Sequence, residues 1–481
     1  MFRFRLENFR LGGTGFALRR FSIVEASLLL IFALLASRGL GLLRQSLFNM
    51  LFGIGPEANA YYAAVRLPET LFNLISAGTL THAFIPVFLS YEKDHGQRET
   101  WRLTSLVFNV LLVSMTLLIC VAEFYAPNLV NRFVVPGYSP AQQALTTSLT
   151  RIMLLQPLIL GLGTIATAVL NSKRQFLLPA LSIAIYNVGL IGGLLVTLVF
   201  PKIGIYGPTY GVLAAAALQA TIQVPGLVKQ GVRYSFVWDL KHPGLREVLR
   251  LLVPNLLTVG VAGVASLMES SFASYMPDQG SLAAIHNAHT LYALPLILIG
   301  QAIGQALLPY LVEQAAAGRY VRMRQIVLQA IVVSLLLTIP IAIVLGIGGK
   351  SVIHLFFRHG AFNRHASVLT NWALLGYVVG LPGAVAGEFF TRGFVALKDT
   401  RTPFFVSACG LAVRYGLIVL LLHLFSAKLA ILAIPLAVAG ALTAEALFLC
   451  LLLLLRLHSK VKLDKGMQRL QRWRMSKVGA T

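Results

Sequence analysis

Six arginines interrupt long apolar stretches of this sequence that otherwise contain few charged side chains. The stretches recur along the chain and reach about 20 residues, enough for a helix to cross ~30 Å of hydrocarbon. An arginine at that depth costs at least ~2.5–3.5 kcal/mol on insertion scales, so it usually faces a bundle interior or a watery cavity. Buried guanidinium groups favour an anionic substrate, and phosphate is their commonest match. The six are Arg38, Arg44, Arg66, Arg151, Arg392 and Arg414.

The composition indicates a polytopic membrane protein. Hydrophobic residues make up 57% of the 481 residues and charged residues 12%, roughly half the charged fraction of a soluble protein. The net charge of +23 is spread over short segments between apolar stretches, which argues against a nucleic-acid partner. The three cysteines predict neither a disulfide framework nor a metal site. Without a phosphate-binding loop or nucleophile motif, we predict no cofactor and no enzymatic activity.

Hydropathy predicts an all-α protein of about twelve membrane spans in two six-helix lobes. We expect a basic cytoplasmic N-terminus, an N-lobe of spans 1–6, a cytoplasmic linker, a C-lobe of spans 7–12 and a basic cytoplasmic tail. Their predicted limits are 1–21, 22–228, 229–244, 245–457 and 458–481. The first apolar stretch is interpreted as a retained helix, not a signal peptide. The spans are 22–51, 57–91, 101–125, 140–170, 176–200, 207–228, 245–276, 282–315, 323–347, 367–397, 402–426 and 430–457.

The distribution of lysine and arginine predicts the orientation. With the N-terminus inside, 28 of these residues fall in inner segments and six in outer segments. This asymmetry predicts that both termini are cytoplasmic. The basic tail is expected to lie along anionic lipid headgroups.

The two halves of the sequence share several features. Spans 2 and 8 each have Leu-Pro early and a second proline near the cytoplasmic end, and the turns after spans 4 and 10 are both basic and closed by proline, at Pro179 and Pro403. Related six-span halves are typical of transporters, whose substrate site lies between the halves.

Four stretches of the sequence resemble the MurJ (MviN) family of the multidrug/oligosaccharidyl-lipid/polysaccharide exporter superfamily. The longest is residues 37–88, SRGLGLLRQSLFNMLFGIGPEANAYYAAVRLPETLFNLISAGTLTHAFIPVF; the others are residues 294–314, 354–362 and 393–403. That family flips lipid II, the undecaprenyl-pyrophosphate precursor of peptidoglycan. The resemblance implies a bacterial inner-membrane protein with a role in cell-wall biogenesis, a lipid-linked glycan as substrate and cell-wall synthesis proteins as candidate partners.

The resemblance implies roles for individual residues that match the family's functional positions. It implies substrate binding by Arg38, Arg44 and Arg66, which match basic family positions, and by Asn59, which replaces an acid. Other family charges are absent: Gln45 replaces an acid, and Phe72, Ala77 and Thr290 are neutral at usually charged positions. The family usually has fourteen spans, so we expect this divergent chain to lack the last two.

Two further sets of residues are candidates for gating and coupling. The resemblance to the span 10–11 turn points to a cytoplasmic gate comprising Arg392, Lys398, Asp399, Arg401 and Pro403. Arg151 and Arg414 are interpreted as structural. Glu269 and Glu445 lie in spans 7 and 12, where a carboxylate can couple transport to Na⁺ or H⁺ or can neutralise an arginine. We favour the ion pair, and the membrane potential is another candidate driving force.

The predicted function is an alternating-access flippase for lipid II or a related polyprenyl-pyrophosphate glycan, moving it from the cytoplasmic to the outer leaflet. The first alternative is an exporter of the same superfamily that moves another lipid-linked oligosaccharide, or drugs or cations; a drug or cation exporter would be expected to carry acids in its cavity. The second is a membrane scaffold or an enzyme acting on lipid-linked sugars. Such an enzyme should show clustered Asp or His at one membrane face.

Overall fold

The computed structural model describes residues 23–76 and 79–478, which form helices joined by loops and contain no β-strand. Ala77 and the N-terminal segment 1–21 lie outside the described residues, as do the side chains beyond residue 461. In chain order the α-helices are α1 (Ile23–Phe52), α2 (Pro56–Ser76), α3 (Thr79–Asp94), α4 (Gly96–Phe124), α5 (Ala126–Leu129), α6 (Pro140–Met153), α7 (Leu155–Ser172), α8 (Leu177–Val199), α9 (Tyr206–Thr221), α10 (Val224–Lys229), α11 (Pro243–Ser274), α12 (Ser281–Pro295), α13 (Ala302–Ala316), α14 (Tyr320–Phe357), α15 (Arg364–Val378), α16 (Leu381–Ala396), α17 (Arg401–Leu424) and α18 (Ala433–Val478).

Each predicted span coincides with one helix or with consecutive helices. Within the described part of the chain, eight helical segments are long and apolar enough to cross a membrane, or nine if the bent pair α15–α16 counts as one span. The other three predicted spans correspond to α1, to α2 with α3, and to α11. The predicted all-α polytopic fold is therefore confirmed.

Several of the predicted spans consist of interrupted or bent helices. After Pro295 the chain adopts a π-helical segment, Leu296–Gln301, before α13 begins. Proline has no backbone N–H to donate, and a π-helical turn is one way to continue past it. Span 10 bends by 44° between α15 and α16, where Pro382 occupies the first turn of α16.

The chain forms two compact units. Unit 1 comprises Met1–Phe52 and Pro56–Ser270, and unit 2 comprises Gly53–Gly55 and Ser271–Thr481. The division falls inside α11, whereas the sequence predicted it at the linker 229–244. The assignment of six spans to each lobe therefore stays a proposal.

Unit 1 has an aromatic and aliphatic core formed by α3, α4, α7 and the start of α11. Phe84 and Phe88 from α3 are fully buried against Leu103 and Leu106 from α4, and Val169 from α7 packs with them. These side chains recur three or four residues apart, so each helix presents one apolar stripe to its neighbours. The cluster holds the first part of α4 against α7.

Glycines bring α8 and α9 into close contact. A Cβ atom on Gly193 would lie 2.6 Å from Cα of Gly211 and 2.7 Å from the carbonyl oxygen of Gly207. Gly189, one turn earlier, faces the backbone of Ala215 in the same way. Small residues at such spacing allow membrane helices to approach backbone to backbone, where van der Waals contact holds them together.

Unit 2 has its own core, between α13, α14, α16 and α18. Leu311, Met323 and Phe394 are fully buried there. The opposite face of α14 is apolar and exposed, with Ile347 84% accessible. A long helix that exposes such side chains fits contact with lipid acyl chains.

Candidate functional site

Helix α1 packs against α8 and α2 through a stripe of polar and small residues on one of its faces. The side-chain nitrogen of Asn187 on α8 donates a hydrogen bond to Oγ of Ser37 at 3.1 Å. Its amide oxygen also lies beside Gly41. One turn further, Gln45 is buried and donates to the hydroxyl of Tyr62 on α2. Ser37, Gly41 and Gln45 are four residues apart, so they share the packed face of α1.

Arg38 and Arg44 flank this packed stripe. At 100° per residue, Arg38 lies about 60° to one side of the stripe and Arg44 about 60° to the other. Arg38 is exposed and Arg44 is half-buried. Neither forms a hydrogen bond or an ion pair with another residue whose side chain the structure describes. The two guanidinium groups therefore do not form one clamp on a straight helix, although both are available to a ligand.

Arg44 lies near a cluster of tyrosines that the sequence analysis missed. Its charge acts on Tyr61 and Tyr62 of α2 and on Tyr186 of α8, and Glu69 acts on Tyr61 and Tyr186. The hydroxyl of Tyr186 accepts a hydrogen bond of 2.7 Å from the side chain of Gln156 on α7. We call Tyr61, Tyr62 and Tyr186 the tyrosine cluster. Tyrosines inside apolar spans carry a polar group that needs a partner, and this signal could have identified them.

Arg66 joins α2 to α11. Its guanidinium donates a hydrogen bond of 3.1 Å to Oγ of Ser266, 200 positions away in the sequence. Its Nε is buried without a hydrogen-bond partner among the described residues. One turn along α2, Thr70 packs against Gly263 of α11. Arg66 therefore takes part in helix packing, and its buried Nε has no hydrogen-bond partner in the described part of the chain.

Asn59, the fourth predicted substrate-binding residue, and the neutral residues Phe72 and Thr290 differ in their surroundings. Asn59 has no accessible surface, so direct contact between Asn59 and a substrate is not available in this conformation. Phe72 is half-buried. In unit 2, the hydroxyl of Thr290 donates to the carbonyl of His286 in its own helix, which satisfies this polar group locally.

In unit 2, Arg392 is held by an acid on its own helix. Its guanidinium lies 3.3 Å from the carboxylate of Glu388, one turn earlier on α16. Gly300 and Gly304, from the π-helical segment and α13, leave room beside Glu388 and Arg392. The sequence predicted Arg392 to be a gate residue, and the structure shows that Glu388 is its ion-pair partner.

The other proposed gate residues form the turn between α16 and α17. Lys398 adopts a positive φ of 59°, which ends α16. The carboxylate of Asp399 accepts hydrogen bonds from the backbone N–H groups of Arg401 and Thr402 at 3.1 Å and from the Thr402 hydroxyl at 2.6 Å. It also pairs with Arg456 of α18. Asp399 thus caps α17 and ties α18 to the same turn.

We expect Asp399→Ala to destabilise the protein, because it removes both the helix cap and the ion pair. The loss should be about 1–2 kcal/mol, the usual range for a capping residue. Thermal unfolding of the purified chain in detergent measures it. Asp94→Ala is the matched control, since Asp94 is exposed and, among the described residues, accepts a side-chain hydrogen bond from Ser90 alone. An unchanged melting temperature together with lost transport would instead assign Asp399 to gating alone.

The two intramembrane acids differ in their surroundings. Glu445 on α18 accepts a 3.3 Å hydrogen bond from the hydroxyl of Ser407 on α17. Its carboxylate packs against Gly410, and the charge of Arg414 acts on it. Glu269 is half-buried on α11. In the part of the chain that the structure describes, no group of three or more His, Cys, Asp or Glu could hold a metal ion.

Comparison with known proteins identifies the family. The family model described as lipid II flippase MurJ matches residues 48–478. A probable lipid II flippase MurJ of Rhizobium tropici is 29% identical over 424 residues, which cover 87% of this chain and 79% of the relative.

Two solved structures have the same fold. A lipid II flippase MurJ in an inward closed conformation matches with a TM-score of 0.75 and 26% identity, covering 88% of this chain and 86% of that one. An inward-facing multidrug resistance MATE transporter of the MOP superfamily matches with a TM-score of 0.78 and 14% identity, covering 90% and 99%. The family match and the MurJ structure confirm the predicted class, a transporter and not an enzyme. The chain belongs to the lipid II flippase MurJ family.

Proposed function

We propose that this chain moves lipid II, or a closely related polyprenyl-pyrophosphate glycan, from the cytoplasmic to the outer leaflet of the bacterial inner membrane. The substrate assignment rests on the surroundings of Arg44. This half-buried guanidinium in a membrane helix has no hydrogen bond or ion pair to a described side chain and lies near the tyrosine cluster. An arginine kept at membrane depth is a functional-site hypothesis by default.

The chemistry of the Arg44 region suits a pyrophosphate joined to a sugar. Guanidinium presents a planar set of donors that binds two phosphate oxygens at once, which ammonium cannot do. Tyrosine rings supply apolar surface and a hydroxyl, and both are suited to a sugar. Glu69, which is exposed, is positioned to accept hydrogen bonds from glycan hydroxyl groups. Arg66 contributes a second positive charge from α2.

The function is tested by rescue of a bacterial strain depleted of its own lipid II flippase. We expect the unmodified chain to restore growth and normal cell shape. Lipid II in the outer leaflet should rise at the same time, measured by its cleavage in intact spheroplasts by an added enzyme that hydrolyses lipid II. Restored growth without lipid II exposure would contradict direct flipping. Good expression without rescue would favour another lipid-linked oligosaccharide.

The structural similarity to a multidrug transporter does not indicate that this chain moves drugs, because 14% identity supports a shared fold alone. A drug or cation exporter would also need acids where Arg38 and Arg44 lie. The lipid-linked glycan therefore stays the better supported substrate.

For the acids, we propose that Glu445 acts as an electrostatic partner of Arg414, with Ser407 donating to its carboxylate. Coupling through Glu269, to Na⁺ or H⁺, remains a separate proposal. We also propose that Arg392 and the turn after α16 contribute to a cytoplasmic gate, with Glu388 orienting the Arg392 side chain.

The orientation gives a testable prediction, because both termini are proposed to be cytoplasmic. We expect cysteines at Glu57 and Gln279, which are exposed, to react with an impermeant thiol reagent added outside intact cells. A cysteine at Ala317, also exposed, should react only after the membrane is opened. The native cysteines are first replaced by alanine, since two of the three are exposed. The reverse labelling pattern would overturn the orientation.

A further inference from the structure

An extended segment of unit 1 is fastened along helix α4. Residues 231–242, which we call the strap, connect α10 to α11 without helical structure. The backbone N–H of Ser235 donates to Oγ of Ser105 at 3.1 Å, and the side chain of Asn109 donates to the carbonyl of Val237 at 3.0 Å. Ser105 and Asn109 are buried and one helical turn apart on α4. These bonds give the strap a defined position.

The strap exposes aromatic side chains at alternate positions. Tyr234, Phe236 and Trp238 are all exposed, and Phe236 is 81% accessible. Amphipathic aromatic residues are enriched at the membrane–water interface. Exposed aromatic side chains on a membrane protein therefore indicate contact with the headgroup region.

A basic pocket of about 750 Å³ lies between the strap and the start of α4. Arg98 and Arg102, one turn apart on α4, line it together with Arg233 of the strap, and all three are exposed. Glu99 is the acid in the lining, 3.7 Å from Arg102. The pocket keeps an excess of positive charge, since three guanidinium groups face one carboxylate.

An apolar pocket of about 370 Å³ also adjoins the strap, at Val232 and Tyr234. Phe108 of α4 and Ile165 and Ala166 of α7 line it. Tyr234 lines both pockets, and its hydroxyl donates to the side chain of Asn109 at 2.9 Å. A cationic pocket and an apolar pocket therefore meet at one residue, which is the arrangement that a phospholipid requires.

We propose that this pair of pockets binds an anionic phospholipid of the cytoplasmic leaflet. Its phosphate lies between Arg98, Arg102 and Arg233, and one acyl chain enters the pocket beside Phe108 and Ala166. Charge complementarity selects an anionic headgroup over a zwitterionic one, because each basic residue near an anionic surface adds about 1 kcal/mol of attraction. The apolar pocket selects a lipid over a soluble phosphate. This site is separate from Arg44 and does not depend on which glycan is flipped.

Photo-cross-linking of the full-length chain tests the site. The protein is placed in phosphatidylcholine nanodiscs containing a trace of phosphatidylglycerol that carries a diazirine on one acyl chain. We expect cross-links on the α4 and α7 peptides that line the apolar pocket. Unlabelled phosphatidylglycerol should compete at least about tenfold better than phosphatidylcholine. Equal competition by the two lipids would overturn the proposal, and this measurement needs no variant.

Matched variants distinguish the pocket from general surface charge. Arg98→Gln, Arg102→Gln and Arg233→Gln together should reduce the cross-links about tenfold or more. Arg319→Gln, Arg322→Gln and Arg324→Gln remove the same charge from exposed positions of unit 2, and should leave the cross-links unchanged. Equal losses in both triple variants would indicate non-specific attraction and overturn the site.

A third variant and a soluble competitor test the acyl chain. Ala166→Phe fills the apolar pocket and should remove the α7 cross-link while the melting temperature stays near that of the unmodified chain. Glycerol phosphate should not displace the labelled lipid. Full displacement by glycerol phosphate would show a site for soluble anions and reject a phospholipid. Retention of the α7 cross-link in Ala166→Phe would reject the acyl-chain pocket.

Discussion

Arg44→Ala should abolish rescue of a flippase-depleted strain while the protein remains inserted and abundant. Arg44 is the half-buried guanidinium near Tyr61 and Tyr186, and it has no hydrogen bond or ion pair to a described side chain. Loss of a charge-assisted contact to pyrophosphate costs about 2–5 kcal/mol, which corresponds to a fall in transport of roughly 30-fold or more. Lipid II exposure in spheroplasts measures the fall directly.

Two further variants give this prediction its specificity. Arg44→Lys keeps the charge but loses the planar pair of donors, so we expect partial activity at best. Arg132→Ala removes an exposed arginine from the predicted outer segment between spans 3 and 4, and should leave transport unchanged. Full transport by Arg44→Ala at normal abundance would reject Arg44 as a pyrophosphate ligand.

Gly193→Leu should prevent unit 1 from folding stably. A side chain at this position would meet the backbone of Gly211 and Gly207 on α9 at 2.6 and 2.7 Å. Backbone atoms of a packed helix cannot move aside as a flexible side chain can. We therefore expect destabilisation at or above the upper end of the ~1–3 kcal/mol found for overpacked cores. Thermal unfolding in detergent and the yield of monodisperse protein measure it.

The neighbouring residue provides a matched control. Gly192 is in the same helix, and a Cβ atom built there meets nothing within 4 Å. Gly192→Leu should change stability by no more than about 0.5 kcal/mol, as is usual for surface positions. If both variants were equally stable, the close approach of α8 and α9 would not contribute to folding.

The candidate site was predictable in part. The apolar context of Arg44 is visible in the sequence, because hydropathy is a local property of the chain. The neighbours of Arg44 are not visible, since Tyr61 and Tyr186 come from two other helices. The same is true of the hydrogen bond from Arg66 to Ser266, which joins residues 200 positions apart.

The contacts of Asp399 and the burial of Asn59 could not be predicted from sequence motifs. The turn that contains Asp399 is recognisable from its sequence, but its contact with Arg456 depends on how α18 packs. Asn59 matches a family position for a charged residue, yet packing in unit 1 leaves it without accessible surface. Burial depends on the helices that surround a residue, and no local pattern records which ones they are.

The sequence by itself determined the protein class, the positions of the twelve predicted spans and the membrane-embedded arginines. Each of these follows from the transfer of side chains from water to hydrocarbon, which depends on stretches of about 20 residues. Only the tertiary structure decided which arginines have partners. Arg66 on α2 bonds Ser266 on α11, whereas Arg44 has no hydrogen bond or ion pair to another described side chain. The physical reason is that an ion pair or hydrogen bond forms over about 3–4 Å, a distance set by helix packing and not by spacing along the chain.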